Sequence, residues 1–113
     1  MSAPVRLNRR LVLERAVRVP DGAGGFAEAW AEVGTLWADI RARTGRERAG
    51  EAVGLSATGY RIVVRAAAHG APSRPVPGQR LRAGARIFAI AAVAEADAEG
   101  RYLTCFATEE VAS

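Results

Sequence analysis

Apolar and polar side chains alternate through most of this chain, in short segments closed by glycine, proline or charged turns. A period of two puts neighbouring side chains on opposite faces, which suits strands buried on one side. From Arg10 to Val19, Leu11, Leu13, Val17 and Val19 share a face that Arg15 interrupts, while Arg10, Glu14 and Arg18 share the other. Pro20-Asp21-Gly22-Ala23-Gly24-Gly25 stops that strand with strong turn chemistry. Alternation resumes from Phe26 to Val33, so the two segments read as a hairpin. Gly34 then breaks the run, and Leu36 to Arg43 reads as a third strand. Further strands are expected at Tyr60–Arg65, Arg80–Arg82, Arg86–Ala94 and Arg101–Thr108. The pattern predicts a mainly β fold, a small antiparallel barrel or sandwich of six or seven strands.

Two stretches depart from the alternation. Thr44 to Ala57 (44–57) holds several charges and three glycines, and reads as one short helix or a long loop between the third and fourth strands. Ala66 to Gln79 carries Pro72, Pro75 and Pro77, which suit neither a helix interior nor a central strand. Residues 1–8 read as a loose N-terminal arm.

A chain of 113 residues is one domain, 1–113, because half of it could not bury a core unaided. Aromatics are only 6% and alanine is abundant, so each residue buries little area and the domain is expected to lean on neighbours. The longest apolar runs are far below the ~20 residues that span a bilayer, so no membrane partner is expected. Leu11-Val12-Leu13 is too short for a signal-peptide core, which points to a cytosolic start. The charge is +4, carried entirely by arginine and spread along the chain. That permits weak attraction to nucleic acid without requiring it.

No catalytic set emerges. The single His69 sits in a loop with no partner to orient it. Cys105 lies mid-strand between Thr104 and Phe106 and reads as a small buried hydrophobe. Glu95, Asp97 and Glu99 lack the offsets of a calcium loop and read as a solvated turn. Gly22, Gly24 and Gly25 lack the following helix of a phosphate loop. An enzyme is therefore not expected, nor a metal or any cofactor. A single-stranded nucleic-acid-binding β-barrel is the alternative, since such barrels stack bases on aromatics amid arginines. Trp37 with Arg41 and Arg43 comes nearest to that arrangement, against a reading in which Trp30 and Trp37 pack together as structural residues.

A spaced set carries a more specific pattern: Arg9-Arg10-Leu11, Asp21, Gly24-Gly25-Phe26, Trp30, Leu36-Trp37-Ala38-Asp39-Ile40 and Gly45-Arg46-Glu47. Tyr60-Arg61-Ile62-Val63-Val64-Arg65, Arg86-Ile87-Phe88-Ala89-Ile90 and Arg101-Tyr102-Leu103 continue it. From Asn8 to Glu110 the chain resembles the head-tail joining (head-tail adaptor, or stopper) proteins of long-tailed phages and phage-derived gene transfer agents. The loop between Arg65 and Arg80 departs from the family in its length and proline content.

The resemblance implies a structural protomer in the neck of a phage-like particle, made in the bacterial cytoplasm. It would form a homo-oligomeric ring, hexamer favoured over dodecamer, between portal or adaptor proteins and a tail terminator or tail tube. The ring would extend the DNA channel, with transient, sequence-independent DNA contact. The 44–57 segment would face that channel, which makes Arg46, Glu47, Arg48 and Glu51 the channel-facing candidates. Asp21, Gly24, Gly25, Trp30 and Trp37 would be structural. A tail terminator ring protein stands as the alternative within the same particle.

Overall fold

The computed structural model describes residues 4–43 and 58–110. Among the described residues six strands form one antiparallel sheet: β1 (Arg9–Pro20), β2 (Phe26–Ala42), β3 (Thr58–Arg65), β4 (Arg80–Ala83), β5 (Arg86–Glu95) and β6 (Tyr102–Glu109). The order β1-β2-β3-β6-β5-β4 closes into a barrel, because β1 also pairs with β4 over Val12–Glu14. Closure removes most of the free strand edge that a small sheet would otherwise expose.

Gly34 does not end a strand. The two segments read separately, Phe26–Val33 and Leu36–Arg43, are one continuous β2. Leu13 lies opposite Gly34 while Glu14 lies opposite Glu32, so Val33 is the extra residue of a β-bulge. A bulge absorbs one residue and bends the strand without ending its pairing. It also reverses the alternation. Glu28, Trp30 and Glu32 lie on the outer face before it, and Trp37 and Asp39 lie there after it.

The inner face carries the alternating apolar residues. Leu11 and Leu13 of β1, Ala38 of β2, Ile62 and Val64 of β3, Leu81 of β4, Phe88 and Ile90 of β5, and Leu103, Cys105 and Ala107 of β6 form one buried cluster. Phe88 is its only aromatic residue, with Tyr60 edge-on at 5.2 Å. A second bulge between Ile90 and Ala92 turns Val93 towards the core and leaves Ala91, Ala92 and Ala94 exposed. Arg86–Ala94 therefore supplies core residues along only part of its length.

The residues expected to form a loose N-terminal arm are tethered where they are described. The Arg6 amide donates to Asp39 at 3.0 Å, and the Arg41 guanidinium donates to the Pro4 carbonyl at 2.9 Å. The proline-rich loop is likewise well held. Pro75 is fully buried, Arg74 donates to the Ala67 carbonyl, and the Val76 amide donates to the Gln79 side chain. The Gly78 amide donates to the Ile90 carbonyl and the Ile90 amide to the Gln79 carbonyl, which ties the end of the loop to β5.

Candidate interaction surfaces

Strand pairing divides β1 and β2 into a barrel half and a free half. β2 meets β3 only over Ala38–Ala42, and β1 meets β4 only over Val12–Glu14. Among the described residues Arg15–Pro20 and Phe26–Ala31 therefore pair only with each other, as a two-stranded ribbon leaving the barrel wall. Such a ribbon is marginal by itself. Its tip is fixed by Asp21, whose Oδ1 accepts from the Ala23 amide at 2.8 Å and the Gly25 amide at 3.0 Å. Those bonds hold the Asp21 carboxyl below its ordinary range. Gly22 and Gly24 adopt positive φ (81° and 87°). A side chain on Gly25 would come within 2.9 Å of the Asp21 carboxylate. Asp21, Gly24 and Gly25 thus each have a physical task in this turn.

An ionic cluster anchors the ribbon where it meets the barrel. Glu14 is buried, with Arg80 Nε at 2.7 Å and Arg82 Nε at 2.9 Å from its two carboxylate oxygens. Arg82 also reaches Glu32 at 3.3 Å, and Arg80 lies 4.2 Å from the centre of the Trp30 ring. Burial pushes the Glu14 carboxyl up, but the two guanidiniums outweigh that and leave it below its ordinary value. The Trp30 ring thus lies against the Arg80 guanidinium of this cluster.

Trp37 is placed differently. It does not pack with Trp30, because seven residues of one strand separate them by about 23 Å. It is 54% exposed on the outer wall. Its expected companion Arg41 is committed to Asp39 at 2.7 Å. Its actual neighbours are Arg10, directly across on β1, and Arg65 on β3. Leu7, Thr35, Leu36, Trp37 and Arg65 line a shallow pocket of about 370 Å³. Arg65 in turn lies opposite Tyr102 of β6, with its guanidinium 5.9 Å from that ring. The outer wall thus carries a row in the order Arg10, Trp37, Arg65, Tyr102. The sequence reading missed this row because its members come from four strands.

The channel-facing candidates Arg46, Glu47, Arg48 and Glu51 lie outside the described residues, as does the short helix or long loop expected over 44–57. The flanks of the segment are described. β2 and β3 pair as far as Ala42 and Tyr60, and the Arg43 amide then donates to the Gly59 carbonyl at 2.9 Å. The segment therefore leaves and re-enters the barrel at adjacent points, at the end of β2 opposite the ribbon. That end is braced by Arg86, which grips Glu109 at 2.8 and 3.0 Å, reaches the Tyr60 hydroxyl at 3.3 Å and lies 4.9 Å from the Phe88 ring.

The remaining reactive side chains are quiet. His69 is exposed in its loop. Cys105 is fully buried, and desolvation pushes its thiol up to about 12. Asp97 caps the β5–β6 turn by accepting from the Arg101 and Tyr102 amides.

The comparisons with known proteins agree with this architecture. The family model described as phage head completion protein matches residues 2–110. A chain in the solved virion of a native gene transfer agent (GTA) particle is 60% identical, with 96% of this chain and 98% of that chain covered and a TM-score of 0.77. The solution structure of protein SF1141 from Shigella flexneri 2a shares the fold at 21% identity, with 96% of each chain covered and a TM-score of 0.69. No curated protein matches the chain. With a closed six-stranded barrel and a family match over nearly its whole length, this chain belongs to the phage head completion protein family.

Proposed function

We propose that this protein is a structural component of a phage-like particle that completes the head and joins it to the tail. The observation that carries this reading is the 60% identity, over nearly the full length of both chains, with a chain of a gene transfer agent virion. The role is architectural rather than catalytic. The strongly paired charges brace the barrel and its ribbon, and the single thiol is buried in the core.

In finer detail, the protein forms a homo-oligomeric ring between portal-side and tail-side proteins, and the ring surrounds the DNA path. The 44–57 segment faces that path. Arg46 and Arg48 meet phosphates there, while Glu47 and Glu51 keep the attraction weak. A channel must let DNA pass, and phosphate contacts accumulate steeply in affinity, so a mixed-sign lining suits it better than a purely basic one. Support for this placement is that the segment springs from one end of the barrel, with both of its roots fixed in the sheet.

The test is deletion of residues 45–54 in a particle-producing strain. The barrel is expected to fold, because the six strands of the described residues all lie outside the deletion. The particles leak DNA or fail to acquire tails. Normal DNA-transferring particles from that strain would refute the channel role, and loss of the soluble barrel would show that the segment belongs to the core.

A further inference from the structure

The ribbon and the Arg10–Trp37–Arg65 row are two unsatisfied surfaces on one chain, and their chemistry is complementary. The outer face of the ribbon carries Phe26, 59% exposed, together with Glu28 and Trp30. Among the described residues Glu28 forms no ion pair; Arg18, directly opposite it, lies instead over Phe26 at 4.4 Å. The row carries an exposed Trp37 between Arg10 and Arg65, neither of which forms an ion pair among the described residues. Among the described residues one surface therefore carries an unpaired carboxylate beside an arginine-covered phenylalanine, and the other carries two unpaired arginines flanking a tryptophan.

These surfaces cannot meet within one copy. Arg18, the partner of Glu28, lies eight residues along β1 from Arg10, about 26 Å in an extended strand. β1 and β2 run unbroken from the ribbon into the barrel wall, so the two surfaces stay at opposite ends of the same strands. A second copy can bring the two together. Because the surfaces differ, the contact is head-to-tail, and repetition of a head-to-tail contact generates a closed ring when its rotation closes. We propose that the ribbon of each copy lies on the Arg10–Trp37–Arg65 row of the next copy, with Glu28 between the two arginines. This rests on the ring reading given above and names the surfaces that make the ring.

Among the described residues both edges of the ribbon are unpaired, which leaves it accessible to another copy. Free edges invite promiscuous strand pairing unless something covers them. A specific interface takes about 800 Å² from each partner. The ribbon, about 20 Å long, gives part of this and the adjoining barrel wall the rest.

The experiment is thiol crosslinking in assembled particles carrying Glu28→Cys together with Arg65→Cys. Cys105 is buried and does not compete. A short bis-maleimide converts the double variant into a ladder of multimers of this chain, whereas either single variant gives none. If that pair disturbs incorporation, Glu28→Cys with Arg10→Cys reads the same contact. Particles that contain the variant but yield no ladder overturn the proposal while leaving the connector reading intact. Crosslinks only to a different particle protein also overturn it, placing the ribbon on a portal-side or tail-side partner. Absence of even the wild-type chain from particles removes the connector reading, and the proposal with it.

Discussion

Arg80 lies 4.2 Å from the centre of the Trp30 ring while its Nε donates to Glu14 at 2.7 Å, so one guanidinium joins the aromatic roof to the buried carboxylate beneath it. A planar cation is needed for both contacts at once, and a lysine could not reproduce the pair. The cluster sits where the ribbon departs from the barrel wall, the point at which an unsupported strand pair would otherwise fray.

Glu14→Gln is expected to destabilise the fold by about 3 kcal/mol, since it leaves two guanidiniums facing a neutral amide in a mostly buried site. The dependence on pH follows from the lowered carboxyl of Glu14. A depressed folded value contributes stability above the ordinary glutamate range, and that stability is lost as pH falls through the folded value. Melting curves from neutral to acid pH test this: the wild type loses stability below the ordinary glutamate range, and the Glu14→Gln variant loses less.

Trp37→Ala and Phe88→Ala should separate assembly from folding. Trp37 is 54% exposed and Phe88 fully buried. Truncating Phe88 costs about 3–5 kcal/mol. Truncating Trp37 changes stability by about 0.5 kcal/mol or less but prevents incorporation into particles. A large drop in the melting temperature of Trp37→Ala would contradict its placement on the outer wall.

Gly24→Ala tests the ribbon tip. At a φ of 87° a side chain adds about 1–2 kcal/mol of strain. Among the described residues no other strand supports the ribbon, so the strain is relieved by local opening rather than by unfolding of the barrel. Amide exchange at Val19 and Ala27 should quicken about tenfold, with the barrel amides of Ile62 and Leu103 unchanged. Uniform acceleration across both sets would show that the ribbon and barrel unfold as one unit.

Cys105 provides a probe of global opening. Its thiol is fully buried and pushed up to about 12. The native protein should resist maleimide at pH 8 and become reactive only through the denaturant transition that also exposes the core. Rapid labelling under native conditions would place the thiol near the surface.

The alternation of side chains determined most of the barrel before any contact was known. Leu11, Leu13, Ile62 and Val64 point inward, because a half-buried strand leaves only one face for apolar residues. The Asp21–Gly25 turn was equally legible, since its chemistry is local. Three features were decided only by the tertiary structure. Gly34 read as a break, but the pairing of β1 carries β2 straight through it, with the mismatch absorbed at Val33. Trp30 and Trp37 read as a packed pair, yet one continuous strand holds them apart and gives one a cation roof to share and the other an open wall. The Glu14–Arg80–Arg82 cluster and the Arg10–Trp37–Arg65 row bring together residues from different strands, 66 positions apart in the case of Glu14 and Arg80. Local sequence fixes which face a side chain occupies; only the closure of the sheet decides which distant side chain shares that face with it.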